Sequence, residues 1–266
     1  MRKKFGHALR LGVGLEAIAL VETRRWGREA TVLAELALDP SHALPAAVTA
    51  AAAALFNDAG RDGWPLTVVL ADELVRLWQV TPPPDCTRMA DLEAAAALRF
   101  QQLYGEPAAG WHVGADWQAG RPFLAAALPR SLQTAVQQAA GAHAMPLIEV
   151  APQFLVLFNR WRDSLAAGDW FGVVHDGVLT LGAVDGGGIA AIRALATPPQ
   201  AAAGWLAEQV AREALRLNLA ASGQPHLRLC GEVPAAWRAA PDCVVLGEAR
   251  PGLSAAALLA LSGSAA

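Results

Sequence analysis

Two glycine-bearing turns have the residue types that could hold a phosphate group. The first spans residues 12–14 (Gly-Val-Gly), and the second is the pair Asp176-Gly177. Backbone N–H groups of a tight glycine turn can cradle phosphate oxygens, and a magnesium ion beside them needs hard oxygen ligands such as carboxylates. The first turn offers backbone only, because Glu16 is displaced along the following strand. Asp176 is therefore the one reasonable metal ligand, and the alternative is that Asp-Gly simply forms a hairpin turn.

The elements that must position these turns form the same pattern twice. Residues 8–38 and residues 169–195 each read as three consecutive strands joined by tight turns. Each triplet is followed by a helix and then a short apolar strand. We expect strands at 8–13, 16–22, 30–38, 66–71, 169–175, 178–184, 189–195, 226–230 and 243–247, and helices at 44–59, 199–221 and 253–261. The repeat predicts an α/β chain with two related lobes, residues 1–73 and 169–266.

Residues 74–150 form a distinct block between the two lobes. The block reads as strand, helix 89–104, two strands at 111–117 and 122–127, helix 130–142 and strand 146–150. This order is that of the split βαβ module. Residues 151–168, with a helix predicted from Pro152, connect the block to the second lobe.

Composition excludes several classes of protein. The net charge of −3 makes nucleic acid an unlikely partner. The three cysteines show no CxxC spacing, which argues against a zinc site or a disulfide framework and fits a reducing cytoplasm. No stretch of about 18 apolar residues and no secretory signal is evident, so we expect a soluble chain whose contact with any membrane is peripheral.

Three segments resemble one family. They are LRLGVGLEAIALVE from residue 9, LPRSLQTAVQQAAGAHAMPLIEVAPQFLVLFNRW from residue 128, and the hairpin FGVVHDGVLTLGAVDGG from residue 171. The chain resembles PilM-type actin-like proteins of the type IV pilus inner-membrane platform, and is similar to the GspL-type cytoplasmic domain of type II secretion. The resemblance implies an α/β fold of two RNase-H-like lobes. It places the β-α-β-β-α-β subdomain in lobe one and leaves lobe two minimal.

The same resemblance identifies a degenerate nucleotide site. It would comprise Gly12, Gly14, Asp176, Gly177 and Gly231, where the last belongs to the strand end that normally receives adenosine. The family's usual Asp is replaced by Gly12, and a single glycine stands near residue 231. The resemblance therefore implies a protein that is not an enzyme, without catalytic residues, bound metal or cofactor. An ATP-binding actin-like ATPase that uses magnesium remains the alternative.

The resemblance also implies a partner. A PilN-type bitopic inner-membrane protein would insert its cytoplasmic tail into a groove between lobe one and the 74–150 block, near strand 30–38. We expect Arg76, Trp78, Leu98 and Gln101 to line that groove, from the faces on which they should lie. The protein would then be a cytoplasmic scaffold peripheral to the inner membrane, with self-association left open. A GspL-like module of type II secretion is the third interpretation.

Overall fold

The structure, a computed structural model, describes residues 6–24, 30–186, 188–217, 226–248 and 250–264. The strands are β1 (His7–Val13), β2 (Ala17–Arg24), β3 (Ala30–Ala37), β4 (Leu66–Leu70), β5 (Arg76–Val80), β6 (Trp111–Ala115), β7 (Phe123–Pro129), β8 (Leu147–Pro152), β9 (Trp170–His175), β10 (Val178–Asp185), β11 (Gly188–Ala196), β12 (Leu227–Gly231) and β13 (Cys243–Val245). The α-helices are α1 (Leu44–Ala59), α2 (Met89–Tyr104), α3 (Arg130–Ala142), α4 (Gln153–Trp161), α5 (Ala203–Arg216), α6 (Ala235–Arg238) and α7 (Ala255–Leu261).

The first lobe is built on a five-stranded sheet in the order β3-β2-β1-β4-β8. Strand β1 pairs antiparallel with β2 and parallel with β4, whose run Leu-Thr-Val-Val-Leu suits a strand covered on both faces. Helices α1 and α3 bury apolar side chains such as Phe56 and Val136 against Leu9 and Leu11. Helix α1 has Pro45 in its first turn and ends at Gly60, whose φ of 59° closes the last turn.

The second lobe repeats this arrangement with a sheet in the order β11-β10-β9-β12-β13. Here α5 and α6 cover one face, and their indole rings Trp205 and Trp237 stack with centroids 5.7 Å apart. The Trp237 N–H donates to the carbonyl of Ala201 at 2.8 Å, which satisfies the buried indole. The two sheets have the same strand order, so the predicted repeat of lobes is confirmed.

A third sheet, in the order β5-β7-β6, forms the subdomain inserted after β4. Helix α2 covers one face of it with Leu92, Ala96 and Phe100. Met89 and Leu103, at the two ends of the predicted apolar stripe, are 51% and 46% exposed. The stripe therefore packs only in the middle of the helix.

The predicted split βαβ module over 74–150 is wrong in its second half. Strand β8 pairs parallel with β4, with Val68 opposite Val150, and so completes the first sheet. Helix α3 shares the first-lobe core with α1. The inserted part is therefore β5-α2-β6-β7, and residues 130–152 return to lobe one.

Two helices, α4 and α7, each follow one lobe in the chain and pack on the other lobe. Helix α4 follows β8 of lobe one, and its Phe154 and Phe158 pack on Phe171 of β9 in lobe two. Helix α7 follows lobe two and packs on β1 and β2 of lobe one. The lobes are thus joined by two exchanged helices, and the region between them holds the candidate sites.

The longest predicted helix starts later than expected. Helix α5 begins at Ala203 rather than residue 199, because Gln200 has a left-handed backbone with φ of 57° that a helix cannot contain. Residues 218–221 of the predicted helix lie outside the described residues. The short helix α6 was not predicted. Within the described ranges, no helix combines the length and the apolar character needed to cross a membrane.

Candidate functional site

Gly12 lies inside β1, where its missing side chain makes room for α7. A Cβ atom at this position would stand 2.6 Å from the backbone nitrogen of Ala260 and closer still to the carbonyl oxygen of Ala256. Both obstacles are backbone atoms of a packed helix. The glycine therefore serves the contact between lobe one and α7, a role that needs no phosphate.

Backbone groups of the turn after β1 form hydrogen bonds within the protein. The Gly14 N–H donates to the carbonyl of Ala17 at 3.0 Å, and the Leu38 N–H donates to the carbonyl of Glu16 at 2.7 Å. The side chains of Leu15 and Glu16 are exposed. This turn accordingly closes a hairpin, and its glycine N–H already has an acceptor.

The second turn joins β9 and β10 through a two-residue hairpin. Asp176 and Gly177 both have left-handed backbone, with φ of 44° and 73°, and His175 pairs with Val178 across them. These values are typical of the primed turns that match strand twist. The Asp-Gly pair is thus a hairpin turn, as one of the two sequence interpretations expected.

A carboxylate accepts the hydrogen bond of a backbone N–H in this second turn. The Asp176 N–H donates to Oε2 of Glu232 at 2.9 Å. Glu232 follows Gly231, whose φ is 88° and whose Cα approaches the Val174 backbone too closely for any side chain. The structure therefore brings Asp176, Gly177 and Gly231 together, with the Glu232 carboxylate hydrogen-bonded to the turn.

Two acids that the sequence analysis did not single out lie between the lobes. Asp72 is separated from the end of β4 by Ala71 and is 6% exposed. Its Oδ1 accepts the Phe154 N–H at the start of α4 at 2.9 Å. Burial raises the pKa of Asp72 to about 7, although hydrogen bonds from Phe154 and Thr180 favour its charged form. Burial, together with the negative charge of Asp176, raises the pKa of Glu73. A sequence signal existed: carboxylates shortly after a buried parallel strand lie at the sheet edge where α/β proteins bind ligands.

A groove of about 730 Å³ separates the inserted sheet from the two lobes. One face of β6 and β7 forms a wall, and the end of β8, helix α4 and the β10–β11 turn form the rest. Apolar lining residues include Leu124, Leu128, Leu155, Phe158 and Ile189. Polar and charged side chains on the lining are His112, Asp116, Arg121, Asn159, Arg162 and Asp185.

Strand β6 borders this groove as a sheet edge. It pairs only with β7 among the described strands, so alternate residues have N–H and C=O groups turned away from the sheet. Gly114 of β6 lines the groove, and a Cβ added there would meet no heavy atom within 4 Å. The groove is thus lined by one face of the inserted sheet and by the amphipathic helix α4, and β6 is the strand of that sheet whose outer edge is unpaired among the described strands.

No protein-family model and no curated protein sequence matches this chain. Among solved structures, a Bacteroides thetaiotaomicron protein with an actin-like ATPase fold and unknown function aligns with TM-score 0.60 and 10% identity, over 88% of this chain and 85% of that one. The cytoplasmic domain of EpsL, an inner-membrane component of the Vibrio cholerae type II secretion system, aligns with TM-score 0.58 and 13% identity, over 96% and 94% of the two chains.

The chain has an actin-like ATPase fold. A PilM–PilN type IV pilus biogenesis complex is also similar, with TM-score 0.48 and 20% identity over 80% of this chain and 66% of that one. The expected fold class is confirmed. At sequence identities of 10–20%, the similarity to these structures establishes the fold alone.

At the two hairpins of this actin-like fold, the Gly14 and Asp176 N–H groups that could receive a phosphate already have acceptors. The Asp176 N–H is taken by Glu232, and that carboxylate would repel a phosphate. In the part of the chain that the structure describes, no group of three His, Cys, Asp or Glu side chains could hold a metal ion. Gly12 is covered by α7.

The four residues expected to line the partner groove lie elsewhere in this actin-like fold. Trp78 is 2% exposed in the subdomain core, where its ring meets Phe100 edge-on at 5.2 Å. The guanidinium of Arg76 lies 5.5 Å and 5.3 Å from the ring centres of Tyr104 and Trp111.

Leu98 and Gln101 are exposed on α2, which covers the face of the inserted sheet opposite the groove. Strand β3 lies at the other edge of the first sheet from β8. This groove is bounded by β6, β8 and α4, so it differs from the partner site expected near strand 30–38, which stays a prediction.

Proposed function

We propose that this chain is a cytoplasmic actin-fold adaptor that holds the cytoplasmic tail of a bitopic inner-membrane protein in the groove between β6 and α4. The adaptor would act in a type IV pilus or related secretion complex and would not hydrolyse ATP. The observation that carries the proposal is the groove itself, with its free strand edge, apolar lining and volume of about 730 Å³. A PilN-type protein is the partner that the sequence resemblance implies.

The groove suits an extended peptide for two physical reasons. The exposed main-chain groups of β6 can pair with a strand, which gives affinity without regard to sequence. The apolar side chains of Leu128, Leu155 and Phe158 can receive alternate side chains of that strand, which gives specificity. Charges of both signs on the lining, Arg121 and Asp185 among them, can fix its direction.

The occupied hairpin supports a role without hydrolysis. Phosphate transfer in this fold class depends on backbone N–H groups and carboxylate-held magnesium at the hairpins. The Glu232 carboxylate already accepts the hydrogen bond of the Asp176 N–H, and it adds a negative charge beside the turn. We infer that such a chain uses its two-lobe fold to bind other proteins and not to hydrolyse ATP.

The peptide site is tested with a variant that fills the groove. Gly114→Trp places an indole where a Cβ meets no neighbouring atom, so the fold should be retained while the peptide is excluded. Gly141→Trp on the exposed side of α3, where a Cβ is equally free, is the matched control. Synthetic peptides that tile the cytoplasmic tails of bitopic pilus and secretion proteins are titrated against all three chains by calorimetry.

We expect one tail peptide to bind the unmodified chain and the Gly141→Trp variant with equal affinity. The Gly114→Trp variant should bind at least about tenfold more weakly, because the filled groove removes both main-chain pairing and apolar contact. Equal binding to all three chains would place the peptide elsewhere. No binding by tails of either system would refute the adaptor role.

A nucleotide-binding protein is the second candidate, and the acids between the lobes favour it. Glu73 lies near enough to Asp176 for the two charges to interact, and Asp72 is adjacent. Calorimetry with Mg-ATP and a phosphate-release assay distinguish this candidate from the adaptor. Hydrolysis that Asp176→Ala abolishes would establish the ATPase.

A further inference from the structure

A separate cavity lies where the two exchanged helices meet. It has a volume of about 320 Å³, at the lower end of the range typical of small-molecule sites. Side chains of α4, the end of α7 and the ends of β9, β12 and β13 line it. Its size admits a small metabolite but not a folded segment.

Arginines outnumber acids on the lining of this cavity, which carries Arg160, Arg238 and Arg250 beside Glu232 and Glu248. Arg160 and Arg250 both line it, and neither takes part in an ion pair among the described residues. The Arg160 guanidinium donates to the carbonyl of Ser264 and lies 5.0 Å from the Trp161 ring centre, which fixes its position. Burial and the nearby charge of Arg250 lower the pKa of Arg160. An anion between the two guanidinium groups would remove this repulsion.

Two buried polar side chains face the same cavity with unpaired atoms. Gln153 is 2% exposed and His175 is 4% exposed, and both belong to the lining. The Gln153 Nε2 donates to the Ser262 hydroxyl at 3.1 Å, but its Oε1 has no hydrogen-bond partner. His175 Nδ1 also lacks one, since the nearest oxygen of Glu232 is 3.5 Å away in poor geometry. Buried polar atoms without partners are costly, and a ligand's polar groups would satisfy them.

We propose that this cavity binds a small metabolite that carries one carboxylate or phosphate group together with hydroxyl groups. The oxyanion lies between Arg160 and Arg250, and the hydroxyl groups meet the Gln153 amide and the His175 ring. Glu232 and Glu248, also on the lining, can accept hydrogen bonds from the hydroxyl groups, and their charge favours a singly charged carboxylate over a doubly charged phosphate. This site is independent of the peptide groove.

A ligand in this cavity would contact elements of both lobes. Arg160 and Gln153 belong to α4 and Ser262 follows α7, whereas His175 ends a strand of lobe two. A bound molecule would therefore contact both exchanged helices and the second sheet. Its binding should raise the melting temperature of the whole chain, because only the native state assembles the site.

The test uses two anionic compounds and one neutral one. Glycerate presents a carboxylate, glycerol 3-phosphate presents a phosphate, and glycerol has the hydroxyl groups alone. Each is titrated by calorimetry and in thermal melts against sodium chloride of equal ionic strength, which cancels general salt effects. The variant Arg250→Gln removes one arginine that has no partner among the described residues, and Arg99→Gln on exposed α2 is the control.

We expect at least one anion to bind saturably at sub-millimolar to millimolar concentration and glycerol not to bind. Arg250→Gln should weaken this binding at least tenfold, with a ligand-free melting temperature equal to or above that of the unmodified chain. Arg99→Gln should change neither. Absence of saturable binding by both anions, equal binding of glycerol, or full binding by the Arg250→Gln variant would overturn the proposal.

Discussion

The contact between Gly12 and α7 gives a sharp prediction. In Gly12→Ala the new Cβ would stand 2.6 Å from the Ala260 nitrogen, whereas Cβ atoms essentially never approach other atoms within 3.0 Å. Helix α7 or strand β1 must therefore move by several tenths of an ångström. Both are backbone elements in a packed core, so rotation of a side chain cannot relieve the clash.

The expected cost follows from this geometry. Overpacking a core by one methyl group typically costs about 1–3 kcal/mol, and the rigid obstacle puts Gly12→Ala at the upper end, about 3 kcal/mol. Urea unfolding followed by circular dichroism should show a midpoint lowered by roughly 1 M, with an unchanged slope. Gly114→Ala is the matched control, because it also adds a methyl group to a strand but meets open space.

The control should lie within about 0.5 kcal/mol of the unmodified chain, or slightly above it, since alanine reduces the freedom of the unfolded state. A Gly12→Ala variant as stable as that control would refute the proposed packing of α7. The first glycine of the turn would then need a different explanation.

Three further variants test other parts of the structure. Asp72→Asn should be more stable than the unmodified chain by up to roughly 4 kcal/mol at pH 8 and equally stable near pH 4. The pKa of Asp72 is about 7 in the folded chain and about 4 in the unfolded chain, so the unmodified chain loses stability as the pH rises from 4 to 7. Thermal melts across this pH range measure the difference, and a melting-temperature difference that does not change with pH would contradict it. Glu232→Ala frees the Asp176 N–H and removes a negative charge, and each change is worth roughly 1 kcal/mol, so calorimetry should detect about thirtyfold tighter Mg-ATP binding. Unchanged affinity would mean that Glu232 does not block a phosphate there. Trp78→Ala should cost about 3–5 kcal/mol in urea unfolding, and a cost below about 1 kcal/mol would mean that the ring is not in the subdomain core.

Local features of this fold could be predicted from the sequence where a local rule decides them. The helices expected at 44–59, 89–104 and 130–142 coincide with α1, α2 and α3, and glycines mark the ends of the first two. The Asp176-Gly177 turn follows from the backbone freedom of those residue types.

Sheet membership could not be predicted in the same way. A strand that follows a helix, such as β8, can return to the first sheet or extend the inserted one, and both choices have the same order along the chain. Pairing of β8 with β4 is a long-range outcome that no local pattern specifies. The role of Gly12 was hidden for the same reason, since α7 lies about 240 residues later in the chain and only the fold brings them together.

Face assignment failed at Trp78 for a different reason. Alternation along β5 correctly placed Arg76 and Trp78 on one face of the strand. Whether that face is covered depends on α2, which packs on it, while Gln79 on the other face lines the groove. The burial of Asp72 could not be predicted, because it results from the docking of α4, a long-range contact.

The measurement that tests the adaptor account most directly is hydrogen–deuterium exchange with and without the tail peptide that binds. The account predicts slower exchange of alternate amides in residues 111–115, because strand addition supplies acceptors for the free edge of β6. The same peptide should leave exchange in the Gly114→Trp variant unchanged. Protection confined to β3, or binding without protection of β6, would contradict the account.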